Sequence, residues 1–178
     1  SNISNWNTSS VTNMQWMFLG ADAFNQDISN WDVSNVTDME SMFKDAVSFD
    51  QNLSDWNASS VTTAADMFNG VTLTTANYDG LLSGWSTFNL TNNTIFHGGN
   101  SEYCDNTSRQ LIIYNYNWSI TDGGYSSSCD FTAPNVTINT PLNQTYSVNS
   151  IDFNVTANDE TLMDSCLYSL DSGVMNYT

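Results

Sequence analysis

Apolar positions in the first seventy residues recur in a two-part pattern. Each round opens on an apolar-x-x-Trp-x-small or apolar stretch: Ile3, Trp6 and Thr8, then Ile28, Trp31 and Val33, then Leu53, Trp56 and Ala58. That spacing predicts a short solenoid strand. A Val-Thr pair follows, and Thr12 with Gln15, then Thr37 with Glu40, stand at capping-box spacing. In such a box a hydroxyl and an amide or carboxyl satisfy the free N–H groups of a helix start. In the third round Thr62 is followed by Ala65, and the box is broken. Met14, Met17, Phe18 and Ala21, repeated as Met39, Met42, Phe43 and Ala46, lie at i, i+3, i+4, i+7 and predict a short helix with its apolar face inward.

The period is 25 residues. It relates Trp6, Trp31 and Trp56; Met17, Met42 and Met67; and Phe18, Phe43 and Phe68. Residues 6–30 and 31–55 share 11 identities in 25, far above the one or two of unrelated sequences. A Met and Phe stripe at helical spacing, once per repeat, reads as core rather than as a cofactor groove. One strand and one helical turn cannot bury their apolar faces alone, so stability has to come from stacking. Two polar rows also align, Asn2/Asp27/Asn52 and Asn7/Asp32/Asn57. They read as a solvated face, with side-chain ladders and weak cation sites as the alternatives.

The run from Phe24 to Phe43, with Ile28, Trp31, Val33, Val36, Thr37, Met39 and Met42 at its repeat positions, resembles the 25-residue BspA-like surface-protein repeat, a relative of the leucine-rich repeat. Tyr78–Trp85, Phe96–Cys104 and Trp118–Gly124 resemble the segment that closes such arrays. The resemblance, over residues 1–124, implies surface exposure and binding or adhesion, and it carries no catalytic residue.

Beyond the repeats, residues 77–86 predict a helix with Asn77 as its cap and Tyr78, Leu81, Leu82 and Trp85 inward. A strand over 94–97, a helix over 106–116 carrying Leu111, Ile112 and Tyr116, and a strand over 118–121 would cover the last core layer as a capping repeat does. Gly123, Gly124 and Ser126–Ser128 mark a hinge. From Pro134 the pattern turns all-β: Ile151, Phe153, Val155 and Ala157 alternate, as do Cys166, Tyr168 and Leu170. This stretch resembles the Ig-like modules of archaeal surface proteins. The fold class expected is therefore an α/β repeat solenoid, leucine-rich-repeat-like with short helices and a parallel sheet, followed by an incomplete all-β Ig-like sandwich. Its divisions are repeats over 1–74, a solenoid cap over 75–124, a linker over 125–133 and a partial sandwich over 134–178.

Charge narrows the partners. With 19 acidic residues against two basic ones, Lys44 and Arg109, the net charge is −17. Nucleic acid and anionic membranes are excluded as partners, and no run of 18 apolar residues offers direct membrane insertion. No cofactor is implied. Asp and Asn in loops offer the oxygen ligands that hard divalent cations such as Ca²⁺ require. Sequons begin at Asn2, Asn7, Asn35, Asn52, Asn57, Asn89, Asn92, Asn106, Asn117, Asn135, Asn143, Asn154 and Asn176. Composition alone would give about six (25 Asn × 44 Ser and Thr / 178), so the excess marks some as N-glycan acceptors of a secreted protein. Of the three cysteines, Cys104 and Cys129 are expected to pair, closing a loop of about 25 residues (129 − 104), and Cys166 is left over. His97 is the only histidine and has no nucleophile motif beside it.

An enzyme is not expected; carboxylate chemistry such as glycoside hydrolysis is the only kind this composition leaves open. The function expected is adhesion or binding at a cell surface, with cell-surface protein or glycan, or other copies of the chain, as partners. The alternative is a structural subunit of a filament or surface layer. The first repeat lacks a covering strand and the sandwich lacks its second sheet, so the chain is expected to be a fragment, or to be completed by strand addition from neighbours.

Overall fold

The computed structural model describes residues 2–129, 135–140, 154–158, 168–169 and 176–177. The chain divides into two compact units, Ser1–Ser127 and Ser128–Thr178.

The repeats are built of turns. Where the short helices were expected, Met17, Met42 and Met67 donate their N–H to the carbonyl three residues back, at 3.2 Å in each case. Between these bonds, alternate N–H groups leave the repeat. Met14, Trp16, Phe18 and Gly20 donate to the carbonyls of Asp38, Glu40, Met42 and Lys44 at 2.9, 3.1, 2.8 and 2.8 Å. Met39, Ser41, Phe43 and Asp45 do the same one repeat on, to Thr63, Ala65, Met67 and Asn69. The helix expectation is thus corrected, and the cause lies in the backbone. Trp16, Ser41 and Asp66 have φ of 62°, 52° and 54°, and Gly20, Asp45 and Gly70 have φ of 65°, 60° and 81°. Two left-handed residues per repeat swing every second N–H outward and preclude the continuous i to i−4 ladder of a helix.

The pairing between repeats is displaced from where the sequence put it. The stretch from Ile3 to Thr8 and its counterparts turn rather than run straight, with Trp6, Trp31 and Trp56 donating to Ile3, Ile28 and Leu53 at 3.1, 3.0 and 3.1 Å. Parallel bridges join Asn13 to Asp38, Asp38 to Thr63 and Ala64 to Phe96 instead. The capping boxes are also absent. Thr37 and Thr62 donate their hydroxyls to the carbonyls of Thr12 and Thr37 at 3.1 and 2.9 Å, forming a threonine row from repeat to repeat.

The third repeat passes the pairing on. Ala64 and Phe68 donate to Ile95 and His97, both at 3.0 Å. Those acceptors lie in β1 (Ile95–His97), which pairs in parallel with β3 (Ser119–Thr121). A second parallel pair joins β2 (Glu102–Tyr103) to β4 (Gly124–Tyr125). Helix α1 (Thr75–Ser86) buries Tyr78, Leu81, Leu82 and Trp85. Its cap is Thr74, whose hydroxyl accepts from Asn77, so the expected cap Asn77 lies inside the helix. Gly84 sets how closely α1 approaches: a Cβ there would stand 1.9 Å from the Ser54 carbonyl oxygen. Helix α2 (Asn106–Tyr116) is capped by Asp105 and ends on Asn117 in the left-handed conformation, φ 55°. It buries Ile112, but Leu111 is exposed.

One core runs through the repeats and these helices. The rings of Phe18, Phe43 and Phe68 stack at centroid spacings of 5.5 and 5.3 Å, and Phe24 stacks on Phe49 at 5.7 Å. Trp31, Trp56, Met42, Met67, Phe43 and Phe68 are buried as core residues. Their counterparts in the first repeat are not. Trp6 is 54% and Met17 39% exposed, against 3% for Trp31, and Phe18 is half-buried. A core side chain of repeat 2 is enclosed by repeats on both sides of it, whereas among the described residues these three have a neighbouring repeat on one side.

In the second compact unit β5 (Asn135–Thr140) pairs antiparallel with β6 (Asn154–Asn158), and β7 (Tyr168–Ser169) with β8 (Asn176–Tyr177). Ile151, Phe153, Cys166 and Leu170 of the expected sandwich lie outside the described residues.

Candidate functional site

The exposed polar rows of the repeats are turn corners. Asn2, Asp27 and Asn52 each accept, through Oδ1, the N–H of the serine two residues on, at 2.9, 3.0 and 2.9 Å. Asn7, Asp32 and Asn57 do the same with Ser9, Ser34 and Ser59 at 3.2, 3.0 and 3.0 Å. These are Asx turns, in which a short side chain mimics a backbone turn. The serine hydroxyls of Ser29 and Ser34 add bonds of 2.7 and 2.6 Å to Asp27 and Asp32. The Ser29 backbone N–H and hydroxyl hold the Asp27 carboxyl below its ordinary range, and the Ser34 hydroxyl and N–H do so for Asp32. A third row, Asn13 and Asp38, caps the N–H groups of Gln15 and Glu40 at 2.9 Å each. Here there is also a bond between repeats, from Asn13 Nδ2 to Asp38 Oδ2 at 3.2 Å.

Aspartate in repeat 2 thus makes the same turn as asparagine in repeats 1 and 3. The Asx turn alone accounts for an Asn-x-Ser spacing at Asn2, Asn7, Asn52 and Asn57, and so for part of the sequon excess. Asn35 is bonded differently, its Nδ2 donating to the Ser9 carbonyl at 2.8 Å. Asn117 donates its Nδ2 to Asn93 at 2.7 Å. Asn106 opens α2, and Asn89 and Asn92 lie exposed before β1. Asn135, Asn154 and Asn176 fall in strands, and Asn143 lies outside the described residues.

Cys104 and Cys129 form a disulfide. Asp79 of α1 anchors the chain at this point, accepting the N–H of Cys104 at 3.0 Å and of Asp105 at 3.0 Å. Burial raises the Asp79 pKa in spite of these donors. Next to it lies a cluster that sequence reasoning missed. Arg109 Nε donates to Asp122 Oδ2 at 2.8 Å, and the Tyr78 hydroxyl donates to the same oxygen at 2.8 Å. The Arg109 guanidinium also sits 4.9 Å from the Tyr103 ring centroid. Side chains of Arg109 and Asp122 are 14% and 3% exposed, so the pair is largely withdrawn from water. Burial pushes the Tyr78 hydroxyl pKa strongly upward, which keeps it a hydrogen-bond donor. No local pattern signals this group, because Tyr78 and Asp122 are 44 residues apart.

His97 is half-buried, and its Nδ1 accepts the Gly99 N–H at 3.0 Å. A shallow groove of about 450 Å³ runs along α2 between Asn106, Thr107, Gln110, Leu111 and Tyr114. Among the described residues, no group of three or more His, Cys, Asp and Glu side chains is placed to hold a metal ion. No helix among them is long and apolar enough to cross a membrane.

The chain so described is a repeat protein whose 25-residue rounds are joined by parallel backbone bonds. Residues 1–109 match the family described as "Mycoplasma protein of unknown function, DUF285", and since they are more than half of the 178 residues, the chain belongs to that family. No curated protein and no solved structure matches it.

Proposed function

We propose that this chain is a non-catalytic extracellular protein of a cell surface that acts in adhesion or binding. Its repeats are read as a BspA-like, leucine-rich-repeat-like solenoid and its second unit as a partial Ig-like module. The observation that carries the reading is the division of side chains within each repeat. In repeats 2 and 3 the Trp, Met and Phe residues of the repeat are spent on packing, while rows of exposed or half-exposed Asn and Asp stand on turn corners held by serine N–H groups. Such a surface is pre-organised for polar recognition of protein or glycan, because little side-chain freedom is lost on contact. The disulfide supports an oxidising, extracellular setting, and membership of a typically surface-associated family supports the same placement.

The second reading, a structural subunit of a filament or surface layer, is favoured by one observation. The rounds are joined by repeated parallel backbone bonds, a mode of pairing that strand addition between copies extends. Size-exclusion chromatography with light scattering separates the two readings. Adhesion expects a monomer that binds cells or immobilised glycans; concentration-dependent growth into polymers without such binding supports the structural reading.

A further inference from the structure

The nine sequons in the first compact unit are not equivalent in their bonding. At Asn2, Asn7, Asn52 and Asn57 the fold uses only the Oδ1 atom. Their Nδ2 atoms make no hydrogen bond among the described residues. Asn2, Asn7 and Asn52 are exposed and Asn57 half-exposed. The serine two residues on either bonds back to the sequon itself, as Ser9 Oγ does to Asn7 at 2.7 Å, or makes no hydroxyl bond among the described residues.

At the other five, a group that the sequon needs is engaged in the fold. Asn35 donates Nδ2 to Ser9, and its Thr37 hydroxyl is bonded to Thr12 at 3.1 Å. Asn117 donates Nδ2 to Asn93. For Asn89 and Asn92 the hydroxyls are those of Thr91 and Thr94, both donating to the Val61 carbonyl, and Thr94 is buried. For Asn106 the hydroxyl belongs to buried Ser108 in α2.

We infer that Asn2, Asn7, Asn52 and Asn57 are the N-glycan acceptors of the first compact unit, and that Asn35, Asn89, Asn92, Asn106 and Asn117 stay unmodified in the folded chain. A second observation agrees. Repeat 2 has Asp27 and Asp32 where repeats 1 and 3 have Asn, with the same turns. Adjacent repeats stack with ring centroids 5.5 and 5.3 Å apart, a step near the ~4.8 Å of neighbouring strands. Glycans on every repeat would crowd one another along each row, whereas glycans on repeats 1 and 3 are separated by a repeat that carries none. In the transfer, the asparagine Nδ2 bonds to the anomeric carbon of a glycosyl diphosphate on an isoprenoid carrier. The carbon–oxygen bond to the diphosphate breaks, the diphosphate leaves with that electron pair, and the amide proton passes to a base of the transferase.

The inference rests on the extracellular reading, which surface labelling of source cells tests separately. The chain, secreted from a glycosylating eukaryotic host and recovered folded, is treated with peptide N-glycosidase in heavy-oxygen water and mapped by mass spectrometry. Label on Asn2, Asn7, Asn52 and Asn57, and on none of the other five, is the expected result. Label on any of those five, or a bare asparagine among the four, overturns it. Asn7→Asp preserves the turn, as Asp32 does, and is expected to remove one glycan mass from the secreted protein. An unchanged mass would overturn the assignment of Asn7.

Discussion

The indole Nε1–H of Trp56 donates to the carbonyl oxygen of Ile28 at 3.1 Å, one repeat back in the chain. Trp31 makes the same bond to Ile3 at 3.1 Å. The tryptophan that fills each core layer therefore also ties that layer to the one before it, so packing and register are set by one side chain. Trp85 of α1 is equally buried, but its Nε1 has no partner among the described residues. Trp56→Phe is expected to cost about 2–3 kcal/mol, since it opens a cavity and removes one of the two hydrogen bonds that the Ile28 carbonyl accepts. Trp85→Phe should cost about 1 kcal/mol less, because it removes an unpaired donor along with the volume. Urea unfolding of the two variants checks the difference.

Asp45 stands in the left-handed region at φ 60°, where repeats 1 and 3 have Gly20 and Gly70. Asp45→Gly relieves a cost that glycine does not bear and is expected to stabilise the chain by roughly 0.5–1 kcal/mol. Gly70→Ala should do the reverse, since its Cβ would stand 2.3 Å from Asp45 Oδ1. Thermal unfolding of the pair reads both signs.

Ion pairs in this chain should differ in value according to their exposure. Asp122→Asn leaves Arg109 charged and largely buried without its counter-ion, and is expected to cost roughly 3–5 kcal/mol. The Lys44–Asp66 pair, at 2.9 Å with side chains 33% and 41% exposed, is screened by water. Lys44→Met should change stability far less than Asp122→Asn. Equal losses in denaturant titrations would contradict this.

Acid should destabilise the repeats through their turn corners. Asp27 and Asp32 have pKa values lowered by their serine partners, and Asp66 by the hydrogen bond from Lys44. A carboxyl with a lowered folded pKa contributes stability above its unfolded value of about 3.9 and loses it as pH falls through the folded one. Asp79, raised by burial, acts in the opposite sense, since its protonation in acid relieves a cost. The double variant Asp27→Asn, Asp32→Asn keeps both turns, as Asn2 and Asn7 show. It is expected to lose less stability than the parent between pH 4 and pH 2, measured by melting temperature.

The period and the core positions were legible because burial imposes them directly on side-chain chemistry, at Trp31, Trp56, Met42 and Phe43 above all. The backbone was not. Spacing of i, i+3, i+4, i+7 fits a chain of turns as well as a helix, and only Gly20 and Gly70 hinted at left-handed conformations that Trp16, Ser41 and Asp66 adopt without a glycine. The polar rows had a readable signal in the constant Asx-x-Ser spacing, which specifies a turn before it specifies a glycan. The Tyr78, Arg109 and Asp122 cluster had none, because its members meet only after the chain has folded back on itself.

Binding of the fluorescently labelled, folded chain to intact cells, followed by flow cytometry as a function of concentration, tests the proposed surface role most directly. The expected result is saturable binding that unlabelled chain displaces. Binding that never saturates, or no binding at any concentration, would contradict it.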